Sequence, residues 1–288
     1  MAERELRCSI VIATRNRVAS LLRTLEELTA LEESFPIIVV DNDSGDGTPK
    51  AVQSSFPQVN CIALRDNLGA AARTIGCRKA VTRYVGFSDD DSWWTRGSLT
   101  RAADILDAYP TVALLAARVL VGPQEQLDPT CALMSRSPLS GGRTLPGRRV
   151  LGFLAAAGFV RRSAFLDVRG FHRKYRIGGE EELLSIDLAA AGWDLIYVDS
   201  VTAHHYPQKS NRDERARRRL MLRNALWTAW LRRPLPTALR RTATLVKEAA
   251  DDPVVSAGVV DAIKGLPWVL LQRRPVPAEV ETALQMLG

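Results

Sequence analysis

The sequence predicts an α/β fold: a mostly parallel sheet flanked by helices, followed by a helical C-terminal extension. Three observations carry this. Short apolar, β-rich runs alternate with amphipathic stretches through the first 120 or so residues. Each run stops at a cluster of polar or turn-forming residues, as buried strands do before a loop. Strand and helix alternating at this spacing build a parallel sheet with helices on its faces.

The elements follow in order. Ser9–Thr14 (SIVIAT) is a short buried strand. Val18, Leu21, Leu22, Leu25 and Leu28 then recur at helical spacing. Ile37–Asp41 is a second strand, stopped by the turn-rich run Asn42 to Thr48. A helix from about Thr48 to Ser55, a strand over Cys61–Leu64 and a helix over Ala70–Ala80 come next. Tyr84–Phe87 is a fourth strand, ending in Ser88 and three aspartates. A helix at Leu99–Ala108 and a strand at Val112–Leu120 complete the alternation. The stretch from Gly122 to Arg149 is rich in Pro, Gly, Ser and Arg without a period, and reads as a long loop. Gly158–Arg161 resumes a strand, with Ser163 expected to cap a short helix. Glu180–Ala191 is helical, and Leu195–Val198 is a last strand leading to His204-His205. From Asp213 onward the pattern is helical and basic, broken into at least two pieces by Pro234 and Pro236.

Composition narrows the class. The 288 residues are 46% apolar and 25% charged, ordinary for a globular protein. No stretch approaches the roughly 18 uncharged apolar residues of a membrane span. The chain runs from Met1-Ala2-Glu3-Arg4-Glu5 straight into a strand, so no signal peptide is expected. Cys8, Cys61, Cys77 and Cys131 lie far apart with no Cys-x-x-Cys pair, which fits small buried side chains in a reducing cytoplasm. The net charge of +7 is concentrated: Lys209 to Arg241 holds eleven Lys/Arg against two Asp/Glu, and the rest is near neutral. One basic surface, with no nucleic-acid reading motif, argues against nucleic acid as a partner. Its arginines accompany Leu220, Leu222, Leu226, Trp227 and Trp230, so the segment suits either an anionic membrane surface or packing on the rest of the chain.

The acids carry the chemistry. Asp89-Asp90-Asp91 follow a buried strand, and adjacent carboxylates repel unless a cation or hydrogen bonds compensate. In an extended segment Asp89 and Asp91 share a face, offering two hard oxygens to Mg²⁺ or Mn²⁺, which completes its shell with water and phosphate. The bland alternative is a solvated turn capping the next helix. Asp41, also at a strand's carboxyl end, suits either a base N–H or an Asx turn. Neighbouring strands would put these acids in one crevice, where open α/β sheets bind ligands. Gly178-Gly179-Glu180-Glu181-Glu182 places acids at a helix start, either to match the helix dipole or to supply a general base, with the glycines allowing an acceptor close. One of His204 and His205 can complete a metal shell, since in a strand the two face opposite ways.

In this order the pieces resemble the family-2 inverting glycosyltransferases of the GT-A fold, from Ser9 to about Ser210. Ser9 to Arg17 is similar to the family's opening strand and first nucleotide contact. Val39 to Thr48 is similar to the second nucleotide element, and Asn67 to Gly76 to the Gly-and-Arg segment before the acidic motif. Asp89-Asp90-Asp91 matches the metal-binding Asp-x-Asp, Gly179 to Glu182 the catalytic Glu-Asp element, and His204-His205 the late metal-reaching histidine. Thr74 stands where the family often has Asn, Glu181 where it usually has Asp, and the processive Gln-x-x-Arg-Trp motif is missing.

The resemblance implies a GT-A catalytic domain over 1–210 and a basic helical extension over 211–288. It implies nucleotide contacts from Thr14, Arg15, Asn16, Asp41, Asn67, Arg73, Asp89 and Asp90, and Mg²⁺ or Mn²⁺ held by Asp89, Asp91 and His205 or His204. Glu181, or in another register Glu180, is the implied base. The implied partners are a UDP-, dTDP- or GDP-linked sugar and an acceptor that is a glycan, a lipid-linked molecule or a small molecule. A cytoplasmic protein, touching the inner membrane face through its basic tail and able to form homo-oligomers, is consistent with these readings. A sugar nucleotidyltransferase should carry a Gly-rich loop after the first strand, and Thr14 to Arg17 holds no glycine. A non-catalytic binding module would have no need of Asp89, Asp91, Glu181 and His205 together.

Overall fold

The structure, a computed structural model, describes residues 6–140, 144–207 and 213–288. The expectation about the first five residues lies outside these, as do the start of the basic segment and the 210/211 boundary.

The chain opens with β1 (Cys8–Thr14), α1 (Val18–Thr29), β2 (Ile37–Asp41), α2 (Thr48–Ser55) and β3 (Asn60–Ala63). A single 3₁₀ turn at Gly69–Ala71 then leads into α3 (Ala72–Lys79), so the predicted third helix begins as a tighter turn. Next come β4 (Tyr84–Asp89), β5 (Ser92–Trp94), α4 (Ser98–Ala108) and β6 (Val112–Val121). The predicted long loop is corrected: it contains β7 (Gln126–Leu127), α5 (Pro129–Ser135) and β8 (Arg148–Arg149). Asp128 caps α5 by accepting from the Thr130 amide, with Pro129 at the first turn. β9 (Gly158–Arg161) and α6 (Arg162–Asp167) follow. Ser163 lies inside α6 rather than capping it, and Arg161 takes the cap position. Then come α7 (Glu180–Ala190) and β10 (Asp194–His205), one strand three times the predicted length.

The sheet order is β3-β2-β1-β4-β9-β6-β10-β5, with β7 beside β6 and β8 beside β10. β1 pairs in parallel with β2 and β4, β2 with β3, and β10 with β6. β9 is antiparallel to both β4 and β6, so β6 and β10 run in the same direction as β4. The sheet is therefore mixed but mostly parallel, and its long strands end along one edge. The strands of Asp41 and the aspartate run are not neighbours; β1 lies between them, with Thr14 opposite Asp41 and Ala13 opposite Asp89. β1 and β2 are buried on both faces, as covered parallel strands are.

Beyond residue 213 the chain forms α8 (Glu214–Arg232), α9 (Leu235–Glu248), α10 (Pro253–Lys264), α11 (Leu266–Leu271) and α12 (Ala278–Met286). Two apolar clusters dock these helices. Leu226, Trp227, Leu231, Val255, Val259 and Val269 pack on Tyr175 and on Leu183 of α7. Val276, Val280 and Leu284 pack on Ile186 of α7. The α8 face read as membrane-competent is thus used internally: Trp227 is buried, and Trp230 is half-buried, its indole donating to Thr242. Among the described residues no helix is long and apolar enough to cross a membrane. All four cysteines are free.

Candidate active site

The carboxyl edge of the sheet gathers the acids. β2 ends in Asp41, which is buried. Its Oδ2 accepts from the Ser44 amide at 3.0 Å, the expected turn bond. Its Oδ1 has no hydrogen-bond partner among the described residues. A buried carboxylate oxygen without a donor is costly, so a ligand N–H arriving there gains more than it would at the surface. The same loop is tied to the end of β1, where Asn16 donates its amide to Ser44 Oγ and accepts from the Gly45 amide, both at 2.8 Å.

Asp90 and Asp91 form a tight turn between β4 and β5, not the extended segment expected. The alternation survives nonetheless. Asp89 and Asp91 converge with His205, one ligand atom from each lying within 4.8 Å of the others. Asp90 turns inward, where it accepts from the Thr14 hydroxyl at 2.9 Å and lies 3.1 Å from the Arg17 guanidinium. Burial pushes Asp90 up to about 7, with Arg17 opposing and Asp91 adding to the rise. Asp91 is held by Arg17 at 2.7 Å and by His205 Nε2 at 3.2 Å. Burial would raise Asp91, yet the His205 bond and the Arg17 charge outweigh it and hold the group below its ordinary value. Burial likewise opposes the charged form of His205, but Asp91 and Asp89 win and raise it. Asp89 pairs with Arg73, which is itself buried.

The register of β10 selects the histidine. His205 lies opposite Ser92, the residue after Asp91, and the Tyr206 amide donates to the Asp91 carbonyl at 2.8 Å. His204 faces the other way, 3.2 Å from Thr95 Oγ1 and stacked on Trp93. A bulge sets this register: Val198 pairs with Ala117 and Thr202 with Arg118, leaving Asp199, Ser200 and Val201 with no opposite number in β6. Two carboxylate oxygens and an imidazole nitrogen at this spacing suit a divalent ion that also tolerates nitrogen, after small side-chain adjustments.

The three glutamates open α7 after Gly178 and Gly179, which adopt φ of 86° and 89°. Those angles place both in the left-handed region that favours glycine. Contrary to the expectation from the sequence, they face α8 and not an open acceptor space. A Cβ on Gly178 would meet Met221 of α8 at 2.6 Å, and one on Gly179 would meet Asn224 at 3.5 Å. Glu180 is 4% exposed, and its Oε2 has no partner among the described residues. Glu181 is part-exposed. Burial raises both; Glu181 is also raised by Asp89 and lowered by the helix amide and the Arg73 charge. Burial raises Glu182 too, against Arg241 and Arg233.

Of the remaining residues read as contacts, Arg15 is exposed, while Asn67 spends its Oδ1 on the Gly69 amide at 2.9 Å. Thr74 is packed away, accepting from the Phe171 amide at 3.0 Å. Arg17 was not among the expected site residues, although it bridges Asp90 and Asp91. Its position at the end of the Thr14-Arg15-Asn16-Arg17 run was the available signal, since a cation there faces the neighbouring strand's end.

Comparisons with known proteins bear on the family and the fold. Residues 9–168 match the family model for Glycosyl transferase family 2. The N-acetylglucosaminyl-diphospho-decaprenol L-rhamnosyltransferase of Mycobacterium tuberculosis is 28% identical over 240 residues, covering 71% of this chain and 78% of that protein. Among solved structures, the mannosyltransferase PcManGT of Pyrobaculum calidifontis, in complex with GDP-Man and Mn²⁺, superposes with a TM-score of 0.57 at 19% identity over 98% of this chain and 85% of that one. TarS of S. aureus gives a TM-score of 0.54 at 19% identity, covering 75% of this chain and 39% of TarS. The chain thus spans well under half of TarS, and these structural likenesses speak to fold.

Proposed function

The chain belongs to glycosyl transferase family 2, and from that we propose that it transfers a sugar from a nucleotide-diphosphate sugar to an acceptor hydroxyl, with inversion and with a divalent metal. The observation that carries the finer reading is the convergence of Asp89, Asp91 and His205 within 4.8 Å on the edge that also holds Asp41. In this reading Asp41 Oδ1 accepts the base N–H of the donor nucleotide. Asp89, Asp91 and His205 hold Mg²⁺ or Mn²⁺, and the bound ion supplies positive charge for the departing diphosphate. Arg73 and Arg17 add fixed positive charge beside it, already oriented by Asp89, Asp90 and Asp91. Asp90 is the internal prop of this edge, because its oxygens are taken by Thr14 and Arg17.

Glu181 is the general base. It is part-exposed, so an acceptor can reach it, whereas Glu180 is nearly sealed. It takes the acceptor proton as the oxygen attacks the anomeric carbon from the face opposite the diphosphate, and the leaving oxygen carries off the bond's electron pair. Sugar transfer is assigned to residues 1–210, with 211–288 as a helical extension. The PcManGT complex carries GDP-Man, and the mycobacterial relative is named for a lipid-linked acceptor. UDP-, dTDP- and GDP-sugars and a lipid-linked, glycan or small-molecule acceptor are therefore the classes to try.

The test is calorimetric titration of the purified protein with UDP, dTDP, GDP and CDP, with and without Mn²⁺. Metal-dependent binding of one nucleotide is expected, followed by turnover of sugars on that nucleotide. Absence of nucleotide binding under every condition would overturn the reading.

A further inference from the structure

The loop that delivers the glutamates makes little structure of its own. Between α6 and α7 it runs through Lys174, Tyr175, Arg176, Ile177, Gly178 and Gly179, and its carbonyls need partners. Two adjacent residues of α8 supply most of them. Arg223 Nη2 donates to the carbonyls of Lys174 at 3.3 Å and Tyr175 at 3.1 Å. Asn224 Nδ2 donates to those of Tyr175 at 3.0 Å, Ile177 at 3.2 Å and Gly178 at 2.5 Å. The remaining carbonyl, that of Arg176, accepts from the Ala70 amide at 2.7 Å. Every carbonyl from Lys174 to Gly178 is thereby held.

The holder is itself held. Asn224 is fully buried, and its Oδ1 accepts from Arg223 Nε at 3.1 Å and Nη2 at 2.9 Å. The Arg223 guanidinium lies 4.2 Å from the Trp227 ring centroid, and the Tyr175 hydroxyl meets Thr228 Oγ1 at 2.8 Å. On the other side a Cβ on Gly69 would lie 2.2 Å from the Arg176 carbonyl, so the strand-to-helix turn before Arg73 presses on the same loop.

We propose that Asn224, with Arg223 behind it, is a positioning residue for the general base: α8 fixes the Gly178-Gly179 turn and so the place from which Glu181 reaches the acceptor. The helical extension is then part of the catalytic apparatus rather than an appendage. This rests on Glu181 as the base. A misplacement of about 1 Å at a reacting group can cost roughly 10²-fold in rate.

The experiment compares Asn224→Asp, Arg223→Gln, Glu181→Gln and Arg219→Ala in the full-length protein, reading nucleoside diphosphate release from the sugar donor that supports turnover. Asn224→Asp keeps the side-chain shape and removes both amide donors. Arg223→Gln removes the guanidinium behind it. Both should lower kcat roughly 10- to 100-fold with donor KM unchanged and should move the acid limb of the pH profile. Arg219→Ala, an exposed residue of the same helix paired with Asp261, should match the wild type. A wild-type kcat and pH profile in Asn224→Asp would sink the proposal. So would losses of kcat, donor KM and melting temperature in step, which mark a merely structural role. If Asn224→Asp fails to fold, Arg223→Gln decides by the same criteria. An active Glu181→Gln would instead overturn the base assignment, whereas an inactive Glu181→Gln beside a normal Asn224→Asp would reject the clamp alone.

Discussion

A buried acid of the helical extension and two at the carboxyl edge of the sheet are treated in opposite ways. Inside the helical extension the buried carboxylate of Glu281 has its cation. Glu281 is clasped by Arg233 at 2.6 and 3.1 Å and by the Thr237 hydroxyl at 3.0 Å, and both charged partners are sealed from solvent. Burial alone would raise Glu281, but Arg233 and the neighbouring donors hold it below its ordinary value. At the carboxyl edge of the sheet, Asp41 Oδ1 and Glu180 Oε2 are buried without a donor among the described residues, and Glu180 and Glu181 are raised. Folding energetics favour the first arrangement. The second is retained where a group must meet something from outside or exchange a proton with it.

This contrast is best broken by removing one member from each region. The largest effect is expected for Asp91→Ala. It takes one of the three convergent groups, and transfer should fall by about 10⁴-fold, while the circular dichroism spectrum stays that of a folded protein and the melting temperature drops with the loss of the Arg17 and His205 pairings. A folded variant with normal turnover would place Asp91 with the structural acids instead.

Glu181→Gln comes next. The amide keeps the shape and cannot take a proton, so kcat should drop by about 10³-fold with donor binding retained. The wild-type profile sharpens the point. Glu181 is raised by burial and must be ionised to act. The rate should therefore climb with pH through a limb lying above the ordinary glutamate range, and a limb at or below that range would contradict the assignment.

Arg233→Met is expected to act on stability and not on chemistry. Stripping the cation from a buried pair costs roughly 3 kcal/mol, read as a lower denaturation midpoint. The sign of the pH effect is also fixed. A carboxylate depressed on folding contributes stability above its unfolded value and loses it as pH falls through the folded one. Wild-type melting temperature should thus sag below the ordinary glutamate range, and Arg233→Met should sag less. Equal acid sensitivity in the two proteins would mean that the clasp contributes nothing.

Much of the site was legible in the sequence because its acids are adjacent to strand ends, and strand ends are visible as apolar runs that stop. Asp41, the Asp89 to Asp91 run and the Glu180 to Glu182 helix start were found that way. Of the cations that orient them, Arg17 was not, and Arg73 came only from the family resemblance, as a nucleotide contact and not as the partner of Asp89. Arg17 and Arg73 act across 73 and 15 intervening residues respectively (Arg17 to Asp91, Arg73 to Asp89), and no local pattern encodes such a pairing. The antiparallel insertion of β9 was hidden for the same reason: Gly158–Arg161 is recognisable as a strand, but its neighbours are decided by the whole sheet. The helix at Pro129–Ser135 left a local trace in Asp128-Pro129, a cap followed by a helix-starting proline, which its short length obscured. The roles of Arg223 and Asn224 had no trace, since a basic helix reads the same whether its polar groups meet water or a loop's carbonyls.

The bulge at Asp199 to Val201 has an effect reaching to the far end of its strand. Side chains in a strand alternate, so which imidazole confronts Asp91 depends on whether the residues counted from Val198 are odd or even in number. Lengthening the bulge by a single residue, with the pairing before it unchanged, would leave the fold's outline intact and bring His204 to the place that His205 holds beside Asp91. An apparently idle kink therefore helps to decide which imidazole stands beside Asp91.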